Sequence, residues 1–265
     1  MESLKPVSEL FSLRAKRALI TGAAVGIGSA ISYRFAEAGA ILELVDINIK
    51  GLANLKDNLS HFNTQINIHR VDLSQKSAID SLWERLDGKE PDILVNNAGV
   101  YPFKKFLQID EVFLKKVADI NLNSTFWMCQ QMIRRRLKQG GIIINTSSIE
   151  AIMPFAEDLI PYSMSKIGVL SLTRSLAKEY GKHGFRINAL IPGGIVTPGT
   201  KEVAKGLTQF KVNLIGEGIK FKIRLPLNRG GQPDEVARMA LVLASDLSSY
   251  VHGALIAVDG GFLSS

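Results

Sequence analysis

The sequence predicts a single α/β domain over residues 1–265, with a seven-stranded parallel sheet doubly wound by helices on both faces. Short apolar segments typical of strands alternate with amphipathic segments of helix length, as in a parallel sheet joined by crossover helices. The apolar segments are continuous, as strands buried on both faces require. Because no repeat, low-complexity tract or linker divides the chain, one domain is favoured over two.

Each of the first six predicted strands leads into a helical segment, directly or through a loop. The seven strands are Arg17–Thr21, Ile41–Val45, Ile66–Val71, Ile93–Val95, Gly141–Asn145, Ile187–Ile191 and Leu255–Val258. Residues 1–14 form an N-terminal extension. Two long helices are predicted, one at about 110–137, interrupted near Asn121, and one at 162–180.

The composition favours a cytoplasmic protein with neither a membrane nor a nucleic-acid partner. Residues 1–13 lack the apolar core of a signal peptide, and no segment approaches the roughly 20 apolar residues of a membrane span. The net charge of +7 is compatible with nucleic-acid binding, but the basic residues lack an aromatic stacking platform or a reading motif.

Cysteine and histidine give no sign of a disulfide framework or a metal site. The single cysteine, Cys129, fits a reducing compartment, and its neighbours offer no acid–base partner, so a buried helix residue is predicted. The four histidines lie far apart, without metal-ligand spacing.

A glycine-rich turn, Thr21-Gly22-Ala23-Ala24-Val25-Gly26-Ile27-Gly28, joins the first strand to a helical segment at 30–38. Glycine lets the backbone turn sharply and approach a pyrophosphate, and the following helix N-terminus attracts its charge. A tight turn packed for structural reasons is the alternative. The context favours a dinucleotide site.

Asp46 ends the second strand and predicts NAD as the cofactor rather than NADP. A carboxylate there accepts hydrogen bonds from both hydroxyls of an adenine ribose and repels a 2′-phosphate. No arginine or lysine lies in the glycine turn or beside Asp46, and the nearest base is Lys50.

With these motifs the chain resembles the short-chain dehydrogenase/reductase family, whose members have a Rossmann fold. The resemblance covers nearly the whole chain and rests on motifs in the family's order. They are Thr21-Gly22-(x)3-Gly26-Ile27-Gly28, Asp72, Asn96-Asn97-Ala98-Gly99, Asn121, Ser148, Tyr162-(x)3-Lys166, the 192–197 segment and the 250–261 ending.

The resemblance implies a set of cofactor-binding residues. Asp72 and Asn97 would border the adenine and its ribose, and Ile195 and Thr197 would hold the nicotinamide carboxamide. Asp72 as a helix cap and 96–99 as a plain turn are the alternatives. The set is Gly22, Val25, Gly26, Ile27, Gly28, Asp46, Asp72, Leu73, Asn97, Ala98, Gly99, Tyr162, Lys166, Pro192, Gly193, Ile195 and Thr197.

Tyr162 and Lys166 are the predicted acid–base pair. Four residues apart on a helix, they share a face, and the ammonium is expected to lower the tyrosine pKa from about 10. Tyr162 would then remove the alcohol proton as hydride leaves, with Ser148 orienting the substrate. The resemblance implies that Lys166 also grips the nicotinamide ribose and that Asn121 supports a water chain to Lys166.

The substrate site is predicted less fully. Ser148 and Tyr162 are fourteen residues apart, about one more than the common family spacing. Glu150 either accepts a bond from a substrate hydroxyl or is a solvated loop residue, and Tyr101 is a second candidate contact. Residues 198–226 are predicted to form a substrate lid, although its basic residues also suit a solvated helix pair.

Three functions remain open, and the first is favoured: an NAD-dependent secondary alcohol or sugar dehydrogenase. The second is a 3-oxoacyl-(acyl-carrier-protein) reductase, for which Arg134–Arg136 resembles a carrier-docking patch, although cations also suit a helix end. The third is a non-catalytic NAD sensor or scaffold, against which the intact Ser148, Tyr162 and Lys166 argue. The family resemblance implies a homo-oligomer, a tetramer or a dimer, joined through the long helices and the last strand.

Overall fold

A computed structural model describes residues 4–197 and 224–265, and it confirms the predicted parallel sheet. Seven strands pair in parallel in the order β3-β2-β1-β4-β5-β6-β7. They are β1 Arg17–Thr21, β2 Ile41–Asp46, β3 Ile66–Arg70, β4 Ile93–Asn96, β5 Gly141–Thr146, β6 Phe185–Pro192 and β7 Leu255–Val258. No boundary differs from its prediction by more than two residues.

The described helices occupy the segments between the strands. They are α1 Val7–Leu10, α2 Gly26–Glu37, α3 Ile49–Leu59, α4 Lys76–Arg85, α5 Glu111–Ala118, α6 Ser124–Arg136, α7 Ile160–Tyr180 and α8 Pro233–Ala244. A π-helical turn, Asp119–Asn123, joins α5 to α6, where the sequence predicts an interruption. The predicted lid lies outside the described residues, except for Arg224–Pro226.

Helices cover both faces of the sheet because successive strand residues point to opposite faces. On β1, Ala18 and Ile20 pack in a core built with α2, α3 and α8. Leu19, between them, packs in a second core built with α4, α6 and α7. Both cores are buried, which accounts for strands without polar alternation.

One buried charge interrupts the apolar sheet. Glu43, on β2, is only 1% exposed. Its carboxylate forms an ion pair with Arg17 of β1 and hydrogen bonds with Asn67 at 2.9 Å and His69 at 2.7 Å, both on β3. These partners satisfy the charge, and they tie three neighbouring strands together.

Cys129 is a buried residue of α6, as predicted. Its thiol is 1% exposed and lies beside the Asn96 and Asn145 amides, and burial raises its pKa to about 12. A thiol in this state is a poor nucleophile. Across the described part of the chain, no helix is long and apolar enough to span a membrane, and no cluster of acids, histidines and cysteine is suited to a metal.

The order of the strands places a crevice at one edge of the sheet. The chain runs outward from β1 to β3, then returns to pair β4 with the other side of β1. The loops after β1 and β4 therefore diverge at the carboxyl ends of these strands. In open α/β sheets this reversal point is where ligands bind.

Candidate active site

Two adjoining cavities form one cleft at this reversal point. The first, of about 380 Å³, extends from the glycine turn to Asp46 and Asp72. The second, of about 310 Å³, contains Ser148, Glu150, Tyr162 and Lys166. The two share walls, so a ligand bound in the first reaches the second. The shared lining residues are Ile27, Asn97, Gly99, Tyr101 and Thr197.

The glycine turn is held against the end of β4 by hydrogen bonds. The Thr21 hydroxyl accepts from the N–H groups of Asn97 at 3.0 Å and Ala98 at 3.1 Å. The Asn97 amide donates to the carbonyls of Thr21 and Gly22, both at 3.1 Å. A Cβ on Gly28 would lie 2.1 Å from the Gly22 oxygen. Gly28 is therefore fixed by packing inside the protein.

The start of α2 fits the phosphate of a dinucleotide. Its N-cap, Val25, extends the backbone but supplies no side-chain hydrogen bond to the helix. The first N–H groups of an α-helix have no partner within the helix, and Val25, Gly26 and Ile27 line the first cavity. An anion bound there would accept hydrogen bonds from these N–H groups.

Asp46 and Asp72 make the far end of the first cavity acidic. The Asp46 carboxylate accepts from the N–H groups of Ala24 at 3.0 Å and Asn48 at 2.9 Å, which fixes it beside the glycine turn. Asp72 bonds the backbone and hydroxyl of Ser74 and is not the N-cap of α4, so that alternative is wrong. The described lining of this cavity contains no basic side chain.

The π turn holds Asn121 behind the cleft, against Val100, which lines the first cavity, and against Ser165 of α7. Its side chain is fully buried; Oδ1 accepts from the Val100 N–H at 2.8 Å, and Nδ2 donates to the Val100 carbonyl at 2.8 Å and the Ser165 hydroxyl at 3.2 Å. A π turn adds one residue to a helical turn and often marks a functional position. The amide is thereby held between the loop after β4 and helix α7.

Ser148, Tyr162 and Lys166 meet in the second cavity. Helix α7 starts at Ile160 with Pro161 in its first turn, which points both Tyr162 and Lys166 toward Ser148. Lys166 is 4% exposed, and its Nζ donates to the Thr146 carbonyl at 2.9 Å and lies 5.8 Å from the Tyr162 ring centroid. The structure thus brings together three of the four residues that the sequence predicts to be catalytic, while Asn121 lies outside the lining of this cavity and bonds Ser165, the residue before Lys166.

Burial decides the protonation of this pair. Desolvation raises the pKa of Tyr162 to about 12; a hydrogen bond with Ser148 lowers it, and the charge of Glu150 raises it. Desolvation also lowers the pKa of Lys166 to about 8. The predicted lowering of the Tyr162 pKa by Lys166 is not seen in the protein alone, where desolvation of the phenol is the largest effect and the bond with Ser148 is the one that lowers the pKa.

The two predicted substrate residues both line the second cavity. Glu150 is 8% exposed, and its carboxylate accepts from the N–H groups of Phe155 and Ala156, each at 3.1 Å. The alternative that it is a solvated loop residue is therefore wrong. The Tyr101 ring lies 6.1 Å from the Tyr162 ring.

Sequence reasoning did not name Thr146 and Phe103 as cavity residues. Thr146 ends β5, and its carbonyl receives the Lys166 ammonium. The rule that sites form at the carboxyl ends of parallel strands was a usable signal for Thr146. Phe103 lies in an irregular loop, for which no comparable signal exists.

The basic cluster at the end of α6 is engaged in local contacts. Arg135 pairs with Asp87 at 3.0 Å, and Arg136 pairs with Asp92 at 2.9 Å and donates to the Gly140 carbonyl. Arg134 bonds Gln130 of its own helix. Two of the three arginines thus bond α6 to the loop between α4 and β4, which contains Asp87 and Asp92. These contacts weaken the interpretation of the cluster as a carrier-docking patch.

Comparison with known proteins defines the class. A family model described as enoyl-(acyl carrier protein) reductase matches residues 22–263. Together with relatives that are dehydrogenases and reductases of hydroxyl and carbonyl groups, this match defines an oxidoreductase acting on CH–OH groups and the corresponding carbonyls. The chain belongs to the short-chain dehydrogenase/reductase family, as its motifs predict.

Relatives that align over nearly the whole chain differ in substrate. The 3-oxoacyl-[acyl-carrier-protein] reductase of Chlamydia pneumoniae is 35% identical, covering 94% of this chain and 98% of the relative. The 2-dehydro-3-deoxy-D-gluconate 5-dehydrogenase of Bacillus subtilis is 36% identical, covering 97% and 98%. The structure of L-sorbose reductase from Gluconobacter frateurii, complexed with NADPH and L-sorbose, matches with a TM-score of 0.89 at 27% identity, covering 97% and 99%.

Proposed function

We propose that this protein is an NAD-dependent dehydrogenase that interconverts a secondary alcohol or sugar hydroxyl and its carbonyl, with Tyr162 as the general acid/base. One observation carries the proposal. Ser148, Tyr162 and Lys166 line a cavity that is continuous with the glycine-turn cleft. A proton-transfer group and a dinucleotide site are therefore within reach of one substrate.

Each residue has a defined task in alcohol oxidation. The Ser148 hydroxyl accepts from the Glu150 N–H at 3.2 Å and bonds Tyr162 in the protein alone; its hydrogen would turn to the substrate oxygen when substrate binds between the two residues. Tyr162 takes the alcohol proton. NAD+, which the glycine turn, Asp46 and Thr197 would hold, would supply the hydride acceptor and a positive ring that favours the tyrosinate. Lys166 adds positive charge and holds the nicotinamide ribose, and Asn121 supports the water chain to Lys166. In reduction each proton moves in the opposite direction.

The function is tested by following NADH and NADPH absorbance with a panel of substrates. The panel holds secondary alcohols, aldoses, sugar acids and 3-oxoacyl thioesters. NAD-linked turnover of an alcohol or sugar supports the proposal. NADPH-linked reduction of a thioester contradicts it and supports the second function, which the Chlamydia relative favours. Binding of NADH without turnover across the panel supports a sensor.

Asp46 is expected to set the preference for NAD. A 2′-phosphate about 4 Å from the carboxylate meets about 1 to 4 kcal/mol of repulsion per unit charge and carries nearly two charges, so kcat/KM with NAD should exceed that with NADP by about thirtyfold or more. Asp46→Ser should reduce this ratio by about tenfold or more. Asp57→Ser, which removes an exposed charge on α3, is the control. An unchanged ratio in Asp46→Ser would exclude Asp46 as the selector.

We also propose a cytoplasmic homo-oligomer, a dimer or tetramer, paired through α6 and α7. Phe126 is 41% exposed, Met164 58% and Ile167 49%, and exposed apolar side chains of this kind mark interfaces when they are contiguous. Light scattering coupled to size exclusion is expected to give a mass of at least two chains. A monomer at assay concentration would refute this assignment.

A further inference from the structure

Glu150 is held in the wall of the second cavity by its own loop. Its two carboxylate oxygens accept separately from the N–H groups of Phe155 and Ala156. Its backbone N–H donates to the Ser148 hydroxyl. Glu150 thus links Ser148, the residue proposed to orient the substrate, to the loop at 152–159, in which Leu159 lines the cavity.

Burial raises the pKa of the Glu150 carboxyl above its ordinary value, whereas the bonds from the Phe155 and Ala156 N–H groups lower it and favour the ionised carboxylate. Each oxygen faces an N–H donor, which an ionised carboxylate accepts with both oxygens. The charge also acts on the reacting group, because Glu150 is one of the causes that raise the pKa of Tyr162. A fixed negative charge therefore stands within electrostatic range of the substrate oxygen.

Little in the described wall offsets this charge. Lys166 is the one basic side chain among the described lining residues, and its Nζ is bonded to the Thr146 carbonyl. A substrate anion beside the reacting carbon would meet the Glu150 carboxylate. Unit charges about 6 Å apart repel enough to weaken binding from about threefold in a water-like medium to about a hundredfold near a protein surface.

We propose that Glu150 is a specificity-determining residue that excludes substrates with a negative charge next to the reacting carbon, so that the site takes neutral hydroxy and oxo compounds. The inference rests on the proposed function, because it assumes that the substrate oxygen lies between Ser148 and Tyr162. It separates this chain from an enzyme for 2- or 3-oxo acids. The remaining lone pairs of the carboxylate would accept from a neutral substrate's hydroxyls.

The test compares acetoacetate with acetoacetamide, which have nearly the same shape and differ in charge. Affinity for the NADH-saturated enzyme is measured by calorimetry, and kcat/KM by NADH oxidation. The wild type should favour the amide by about tenfold or more, and Glu150→Gln should reduce that preference at least about threefold. Glu157→Gln, which removes an exposed charge from the same loop, should leave the preference unchanged.

The ratio of the two affinities separates the effect of charge from the effect of a damaged loop, because a disordered loop would weaken the binding of both compounds equally. Equal affinities in the wild type, or the same preference in Glu150→Gln, would overturn the inference. Failure of the proposed function is seen separately, as the absence of NAD(H)-linked turnover across the whole substrate panel.

Discussion

Replacement of Tyr162 by phenylalanine is expected to lower kcat by about a thousandfold, within the range that general acid–base catalysis supplies. Phenylalanine keeps the ring in place but removes the hydroxyl that exchanges the proton. Steady-state rates of wild type and variant, with the best alcohol of the panel, measure the effect. The affinity for NADH, followed by nucleotide fluorescence, should change by no more than about tenfold, since the hydroxyl contributes one hydrogen bond at most.

Tyr180→Phe is the matched control for this experiment. Tyr180 ends the same helix, α7, outside the second cavity. Its substitution should leave kcat within about a factor of two of the wild type, because it removes no proton donor from the site. Retention of more than a tenth of kcat in Tyr162→Phe would remove Tyr162 from the mechanism.

Lys166→Met is expected to abolish turnover and to change the pH dependence of stability. Burial lowers the pKa of Lys166 to about 8 from an ordinary value of 10.5. Between these values the unfolded chain binds more protons than the folded one, so the unfolding free energy of the wild type rises with pH. Below pH 8 the folded protein carries the full cost of a buried charge, on the order of 3 kcal/mol.

Methionine has no proton to lose and should remove that pH dependence. Relative to the wild type, Lys166→Met should lose on the order of 3 kcal/mol of stability between pH 7 and pH 10.5. Loss of the bond to the Thr146 carbonyl shifts the variant's stability by about 1–3 kcal/mol at every pH, so the change with pH is the diagnostic quantity. Urea unfolding at a series of pH values measures it.

Lys178→Met serves as the control on the same helix, because Lys178 is exposed and its ammonium stays in water whether the chain is folded or not. The unfolding free energy of Lys178→Met should change with pH in parallel with that of the wild type. If Lys166→Met and the wild type also remained parallel, burial would not depress the lysine pKa. The activity of Lys166→Met reports separately on catalysis: loss of kcat by two orders of magnitude or more is expected.

The sheet was predictable because most of its strands are buried on both faces and are continuously apolar, with Glu43 and its partners on β3 as the exception. Strand ends were less predictable. Asn96 and Thr146 extend β4 and β5 by pairing their backbones, although their side chains are polar. Helix α2 starts at Gly26 rather than Ala30, because the glycine turn itself makes the first helical turn, against the low helix propensity of glycine.

For the site, local spacing was informative and long-range contacts were not. The four-residue spacing placed Tyr162 and Lys166 on one face, and the structure brings Ser148 to the same cavity, while Asn121 bonds the neighbouring Ser165 of α7. The burial that raises the Tyr162 pKa, instead of the predicted lowering, depends on the packing of segments distant in sequence. The acidic partners of Arg135 and Arg136 lie more than forty residues away in sequence, so the sequence pattern could not reveal that these charges are neutralised.

The π turn at 119–123 has a consequence for redesign of this protein. One inserted residue rotates everything after it by about 100° around the helix axis, so α5 and α6 present different faces although they are continuous in sequence. A redesign that idealises 111–136 into a regular α-helix would improve local hydrogen bonding yet turn Asn121 away from Val100 and Ser165. Stabilising this segment in that way would therefore break the contacts that position Asn121. Residues 119–123 should be kept unchanged in such a redesign.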